Sequence, residues 1–161
     1  MLALKLVGAA LLISSSALTG NALYSYECAK LKESEAFLNL IRHIKTRISC
    51  YRTPIPEIIS DYESKELKEC GFLDGFDISW NDALSSCTEK LHIDDETKKL
   101  LTGFGDELGA SAKDEQMNAC DYYIERLGSH VEDMRTRLPQ KQKLYRSCPI
   151  LLGALAVIIF L

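Results

Sequence analysis

The residue types that carry chemistry in this sequence are few and scattered. Histidine, the usual proton carrier near neutral pH, occurs at His43, His92 and His130. None of the three stands at a catalytic or metal-binding spacing, and no HExxH, GxSxG or P-loop pattern is present. They read as surface or packing residues. Gly103, Gly105 and Gly109 resemble a phosphate-cradling loop, but the spacing is GxGxxxG, and a helical pattern precedes it where such a loop follows a strand. A tight turn between helices is the better reading. Asp94 with Asp95, and Asp114 with Glu115, are adjacent carboxylates, each at a predicted helix start where capping accounts for them. Cys28, Cys50, Cys70, Cys87, Cys120 and Cys148 include no CxxC pair, which argues against structural zinc. They are small buried hydrophobes in a reducing compartment, or disulfide partners if the chain is exported. The expectation is a chain without catalytic, cofactor or metal-binding residues, not an enzyme.

What the chain does have is a strong segregation of charge. Its 161 residues are 47% apolar, and 19 Lys plus Arg against 23 Asp plus Glu leave a net charge of −4, which argues against a grip on nucleic-acid phosphates. Residues 6–26 and residues 147–161 hold no charge, and every acid lies between them. The plan is an apolar end, a charged body and a second apolar end. The expected domains are an N-terminal transmembrane helix over 1–25, a helical body over 26–146 and a C-terminal hydrophobic membrane segment over 147–161.

A helix needs about 20 apolar residues to cross lipid, which the first segment meets. Its Ala10/Ser14 and Ser16/Gly20 pairs have the spacing that lets helix backbones approach. A cleaved signal peptide is the competing reading of Lys5, the apolar stretch and Gly20-Asn21-Ala22. The tail covers only about 22 Å as a helix, so crossing and re-entrant insertion both stay open; Pro149 is placed in its first turn. Basic residues next to membrane segments stay on the cytoplasmic side. Lys30 and Lys32 follow the first segment, and Arg135, Arg137, Lys141, Lys143 and Arg146 precede the tail, so the body is expected to face the cytoplasm. The tail-side basic residues are also placed to touch anionic headgroups.

Between the ends, apolar residues recur at threes and fours, which predicts an all-α, antiparallel helical bundle. Phe37, Ile41, Ile44 and Ile48 form a stripe on a first long helix that continues from the leader. Thr53 is expected to cap a second helix with Pro54 and Pro56 in its first turn, Glu57 at its positive end, and Gly71 or Gly75 closing it. Asp77 or Ser79 caps a third that carries Trp80, Ala83, Leu84, Cys87 and Leu91. Asp94 caps a fourth with Leu100, Leu101, Phe104 and Leu108, stopped at Gly109. Met117, Cys120, Ile124, Leu127, Val131, Met134 and Leu138 alternate steps of three and four, a seam that packs along Ile41–Ile48 or joins two copies of the chain. Pro139 predicts a kink or break. Glu63, Glu66, Glu69, Asp74 and Asp77 form an acidic stretch, a solvated face or one that steers a basic partner.

Several of these segments occur in a recognisable order: Cys50-Tyr51-Arg52-Thr53-Pro54-Ile55-Pro56-Glu57-Ile58, then Trp80 with Ala83-Leu84, then Phe104-Gly105-Asp106-Glu107-Leu108-Gly109-Ala110-Ser111 with Gln116, then Lys143-Leu144-Tyr145-Arg146-Ser147. In that order and spacing, nearly end to end, the chain resembles the stage III sporulation protein AB family. It departs from the family pattern at Ala112, at Pro139 and at Cys148-Pro149. The resemblance implies a non-enzymatic, structural membrane component of the channel complex between mother cell and forespore. It implies a secretion-like platform whose body is similar to the cytoplasmic helical domain of type II secretion platform proteins. The implied partners are the stage III sporulation protein AA ATPase, other members of the stage III complex and stage II sporulation protein Q. The implied location is the cell membrane on the mother-cell side, at the outer forespore membrane. The matching contact candidates are Thr53, Pro54, Pro56, Glu57, Trp80, Phe104, Gly105, Gly109, Ser111 and Gln116. The rival reading is a secreted or surface helical protein with a cleaved leader and disulfides.

Overall fold

The structure is a computed structural model; it describes residues 2–50, 54–74, 76, 79–109 and 113–160, with the side chains of 2–7, 9, 10, 12, 13, 150, 156, 157, 159 and 160 excepted. Among these residues all regular structure is helical: α1 (Leu2–Cys50), α2 (Ile55–Ser60), α3 (Lys65–Glu69), α4 (Trp80–Ser86), α5 (Asp95–Glu107) and α6 (Lys113–Phe160). The all-helical expectation holds. α1 runs without a break from the leader into the body, and Phe37, Ile41, Ile44 and Ile48 are all buried along it.

Two boundaries differ from the sequence reading. The second expected helix is divided into α2 and α3, because Ser64 takes an extended backbone and accepts the Leu67 N–H on its hydroxyl, starting a new helix. Gly71, at φ +85°, then turns the chain, and the Phe72 N–H returns to the Leu67 carbonyl. The third helix stops at Ser86, so Cys87 is its C-cap and Leu91 lies beyond a run of turns. Its start is as expected: Ser79 accepts the Asp82 N–H and donates to the Asp82 carboxylate. Asp94 caps α5 through the Thr97 N–H at 2.9 Å, and Gly109, at φ +81°, follows its end. The N-cap position of α2 falls on Pro54 and not on Thr53, which with Asp77 lies outside the described residues.

The chain divides into two compact units, Met1–Cys28 with Arg135–Leu161, and Ala29–Met134. In the second unit α6 lies antiparallel to α1: a Cβ on Gly128 would meet Leu38, Lys45 pairs with Asp121, and Lys113 reaches the Ser49 carbonyl. The three-and-four seam lines this contact, with Cys120, Leu127 and Val131 buried. Tyr123 is buried as well, one register position outside the predicted stripe. An aromatic run links α1 through the short helices to α6. Phe37, Phe72, Trp80, Phe104 and Tyr123 follow one another edge to face with centroids 4.9–5.5 Å apart, Phe37 meeting Phe72 and Phe72 meeting Trp80. Each fully buried large side chain contributes about 1.5–3 kcal/mol of apolar burial, and α1 supplies Phe37, Leu40, Ile41 and Ile44 to that set.

In the first unit, α6 passes through both Pro139 and Pro149 without ending. Of the kink or break expected at Pro139, the break is therefore not found, nor is a separate tail helix starting near Pro149. A proline deletes one intrahelical hydrogen bond, and at Pro149 the carbonyl so freed, that of Tyr145, faces Gly20 of α1. The segments 1–25 and 147–161 both fall within this unit. Among the described residues no helix is long and apolar enough to cross a membrane; the side chains of Leu6, Val7, Leu12 and Ile13, which make the leader apolar, lie outside them.

Candidate docking surface

Residues of two distant motifs meet at the end of the body where α1 stops. Pro54 is the N-cap of α2 and Pro56 lies in its first turn; the Pro54 carbonyl accepts the N–H groups of Glu57 and Ile58. The missing proline N–H groups cost nothing there, since a first turn has no intrahelical acceptor for them. Pro54, Pro56 and Glu57 are exposed. Beside them lies Gly109, also exposed, where a Cβ would stand 3.7 Å from Ile55. Only glycine takes its φ without strain. Lys113, at the start of α6, donates to the Ser49 carbonyl at 3.0 Å and so places a cation on the negative end of α1. Gln116 is half-buried one turn later. Thr53 and Ser111 lie outside the described residues.

Three other motif residues are interior. Trp80 is 2% exposed and donates its ring N–H to the Leu101 carbonyl at 2.9 Å. Phe104 is buried against it, and Gly105 gives Trp80 and Asn81 room that a Cβ would take. Trp80, Phe104 and Gly105 therefore build the core beneath the surface, while Pro54, Pro56, Glu57 and Gly109 are open to contact.

The structure also groups polar residues that spacing could not pair. His130 of α6 sits with Nε2 2.9 Å from the Asp94 carboxylate and Nδ1 3.3 Å from that of Glu96. His92 meets Glu33, whose carboxylate also accepts the His92 backbone N–H at 2.6 Å. Thr97, fully buried, faces the Ser34 hydroxyl. Burial pushes the Asp94 carboxyl up, but the Thr97 N–H and hydroxyl and His130 outweigh it and hold it below the usual carboxylate range. His130 lines an open cleft of about 370 Å³ with Glu96, Leu100, Tyr122, Arg126, Ser129 and Asp133. Sequence separations of 36 and 59 residues give these pairs no local signal.

All six cysteines are free. Cys70 and Cys87 are both buried, and their thiols donate to the Leu67 and Leu84 carbonyls; their mutual interaction lowers the Cys70 thiol and raises the Cys87 thiol. Among the described residues no group of three or more His, Cys, Asp or Glu is arranged to hold a metal ion. Of the basic residues flanking the ends, Lys32, Lys143 and Arg146 are exposed and Lys30 is half-buried. Lys141 is engaged with Glu27 at 2.8 Å.

The family model described as stage III sporulation protein AB matches residues 5–161. No curated protein and no solved structure matches the chain.

Proposed function

This chain belongs to the stage III sporulation protein AB family, and from that membership we propose that it is a membrane-anchored, non-enzymatic assembly component of the channel complex between mother cell and forespore, docking a secretion-type ATPase. The family match over almost the whole chain is the observation that carries this reading. The uncharged ends hold the protein at the outer forespore membrane, and the helical body faces the mother-cell cytoplasm. The exposed group Pro54, Pro56, Glu57 and Gly109 receives the stage III sporulation protein AA ATPase. Supporting this, two prolines restrict the backbone at the start of α2, where the Pro54 carbonyl accepts the Glu57 and Ile58 N–H groups, so a partner covering them orders little that is not already fixed.

Full-length chain recovered from sporulating cells is expected to bring the ATPase with it, with crosslinks to residues near Pro56 and Lys113. Pro56→Ser combined with Glu57→Lys should cut that recovery about tenfold at unchanged membrane abundance. Recovery equal to that of the unaltered chain would remove this surface from the docking role. An unaltered chain that brings no stage III partner would sink the assembly reading itself.

A further inference from the structure

The apolar surface left uncovered is concentrated in the unit of Met1–Cys28 and Arg135–Leu161: Leu11, Leu18, Leu151, Leu152, Leu155 and Ile158 are each more than half exposed. In Ala29–Met134, the large apolar residue exposed among the described ones is Tyr122. Within the first unit, two contacts set a register. Gly20 of α1 lies against the Tyr145 carbonyl, and a Cβ there would run into that oxygen and come within 3.2 Å of the Pro149 ring. Glu27 takes Lys141 at 2.8 Å and the Tyr145 hydroxyl at 3.5 Å. Numbers rise along α1 as they fall along α6, so the two helices are antiparallel. Carried on at equal rise, this register sets the first residues of α1 beside the last of α6.

The Gly20 contact has a specific chemical basis. Tyr145 stands four residues before Pro149, so its carbonyl is the one whose intrahelical donor the proline lacks. Gly20 is itself buried, so on that side the oxygen is shut off from water. A glycine on the facing helix lets the backbone come close enough for its Cα–H groups to cover the oxygen. The surroundings fit lipid on the outer side: residues 6–26 and 147–161 carry no charge, apolar side chains point away from the partner helix, and Lys143, Arg146 and the Glu27–Lys141 pair gather at one end.

We propose that Gly20 and the Tyr145 carbonyl form a helix-pairing site that joins the two apolar ends into one antiparallel hairpin inserted in hydrocarbon, so that the tail crosses the lipid beside the leader and both chain ends emerge on the same face. This rests on the membrane-anchored reading. A span of this length is accommodated by local thinning of the bilayer.

The test expresses the full chain in growing cells with a cleavable epitope at each end and exposes protoplasts to a protease that cannot cross lipid. Both epitopes are expected to be cut, while the chain resists extraction by alkaline carbonate. A protected C-terminal epitope beside a cut N-terminal one would overturn the hairpin and leave the anchor standing. Extraction by carbonate would overturn the anchor and the hairpin together, since the apolar face would then be covered by a partner protein or a second copy. Gly20→Leu should protect the C-terminal epitope at least fivefold over the parent. Gly8→Leu, at a position with open space around it, should not. Equal behaviour of the two would overturn the pairing site. Should Gly20→Leu fail to accumulate, Pro149→Ala decides: it returns a donor to the Tyr145 carbonyl and is expected to shift protection the same way, and no shift would overturn the proposal.

Discussion

His130 and Asp94, 36 residues apart, are joined at 2.9 Å by the same carboxylate that caps α5. One side chain thus starts one helix and holds the flank of another, and Thr97 behind it reaches Ser34 on α1. Three helices meet in a single polar chain.

Removing that carboxylate should cost more than an ordinary cap. Asp94→Ala is expected to lower the unfolding free energy by about 2 kcal/mol, a cap loss plus a stranded His130 partner. Urea unfolding of the full chain in mild detergent measures it. His130→Ala should cost less, since Asp94 keeps the Thr97 N–H. A double variant well short of the sum of the two would show that they act through one interaction.

Acid should reach the same place. Asp94 is depressed in the folded chain: burial raises it, and the bonds to Thr97 and His130 outweigh that and hold it down. Its stabilisation is therefore fully present above the unfolded carboxylate value of about 3.9 and is lost as pH falls through the lower folded value. Denaturation midpoints taken from pH 6 down to pH 3 should decline more gently for Asp94→Asn than for the parent. Parallel curves would show that the group adds nothing to acid sensitivity.

Trp80→Phe separates ring packing from hydrogen bonding. It keeps an aromatic ring against Phe72 and Phe104 but removes the ring N–H that donates to the Leu101 carbonyl, an oxygen that α5 also engages through its own ladder. A loss of about 0.5–1.5 kcal/mol follows from one lost hydrogen bond. Trp80→Ala, which also opens a cavity, should cost about 3–5 kcal/mol. Thermal unfolding followed by circular dichroism distinguishes the two.

The two motif glycines should respond to alanine for different reasons. At Gly105 the new Cβ runs into the Trp80 ring and the Asn81 side chain, an overpacking penalty of about 1–3 kcal/mol. At Gly109 there is room, and the cost is the positive φ, about 1–2 kcal/mol. Gly109→Asn should recover part of it, because asparagine tolerates that backbone; Gly105→Asn should recover none. Unfolding midpoints of the four variants provide the comparison.

Much of this architecture was written locally. Helix class, the Phe37–Ile48 stripe, the α6 seam, the Asp94 and Ser79 caps and the Gly109 stop are set by contacts within one or two turns, and periodicity with capping chemistry displays those directly. The split between α2 and α3 was also local, carried by Ser64, but apolar spacing masked it. Tertiary structure alone decided which motif residues are open and which are interior: the order of Pro56, Trp80, Phe104, Gly105 and Gly109 along the chain says nothing about depth, because depth depends on which helices pack over each. It alone joined His130 to Asp94 and His92 to Glu33, and turned the Tyr145 carbonyl toward Gly20. Such pairings arise when distant segments are brought together by burial of the helices that carry them, and the chain holds no short-range record of that.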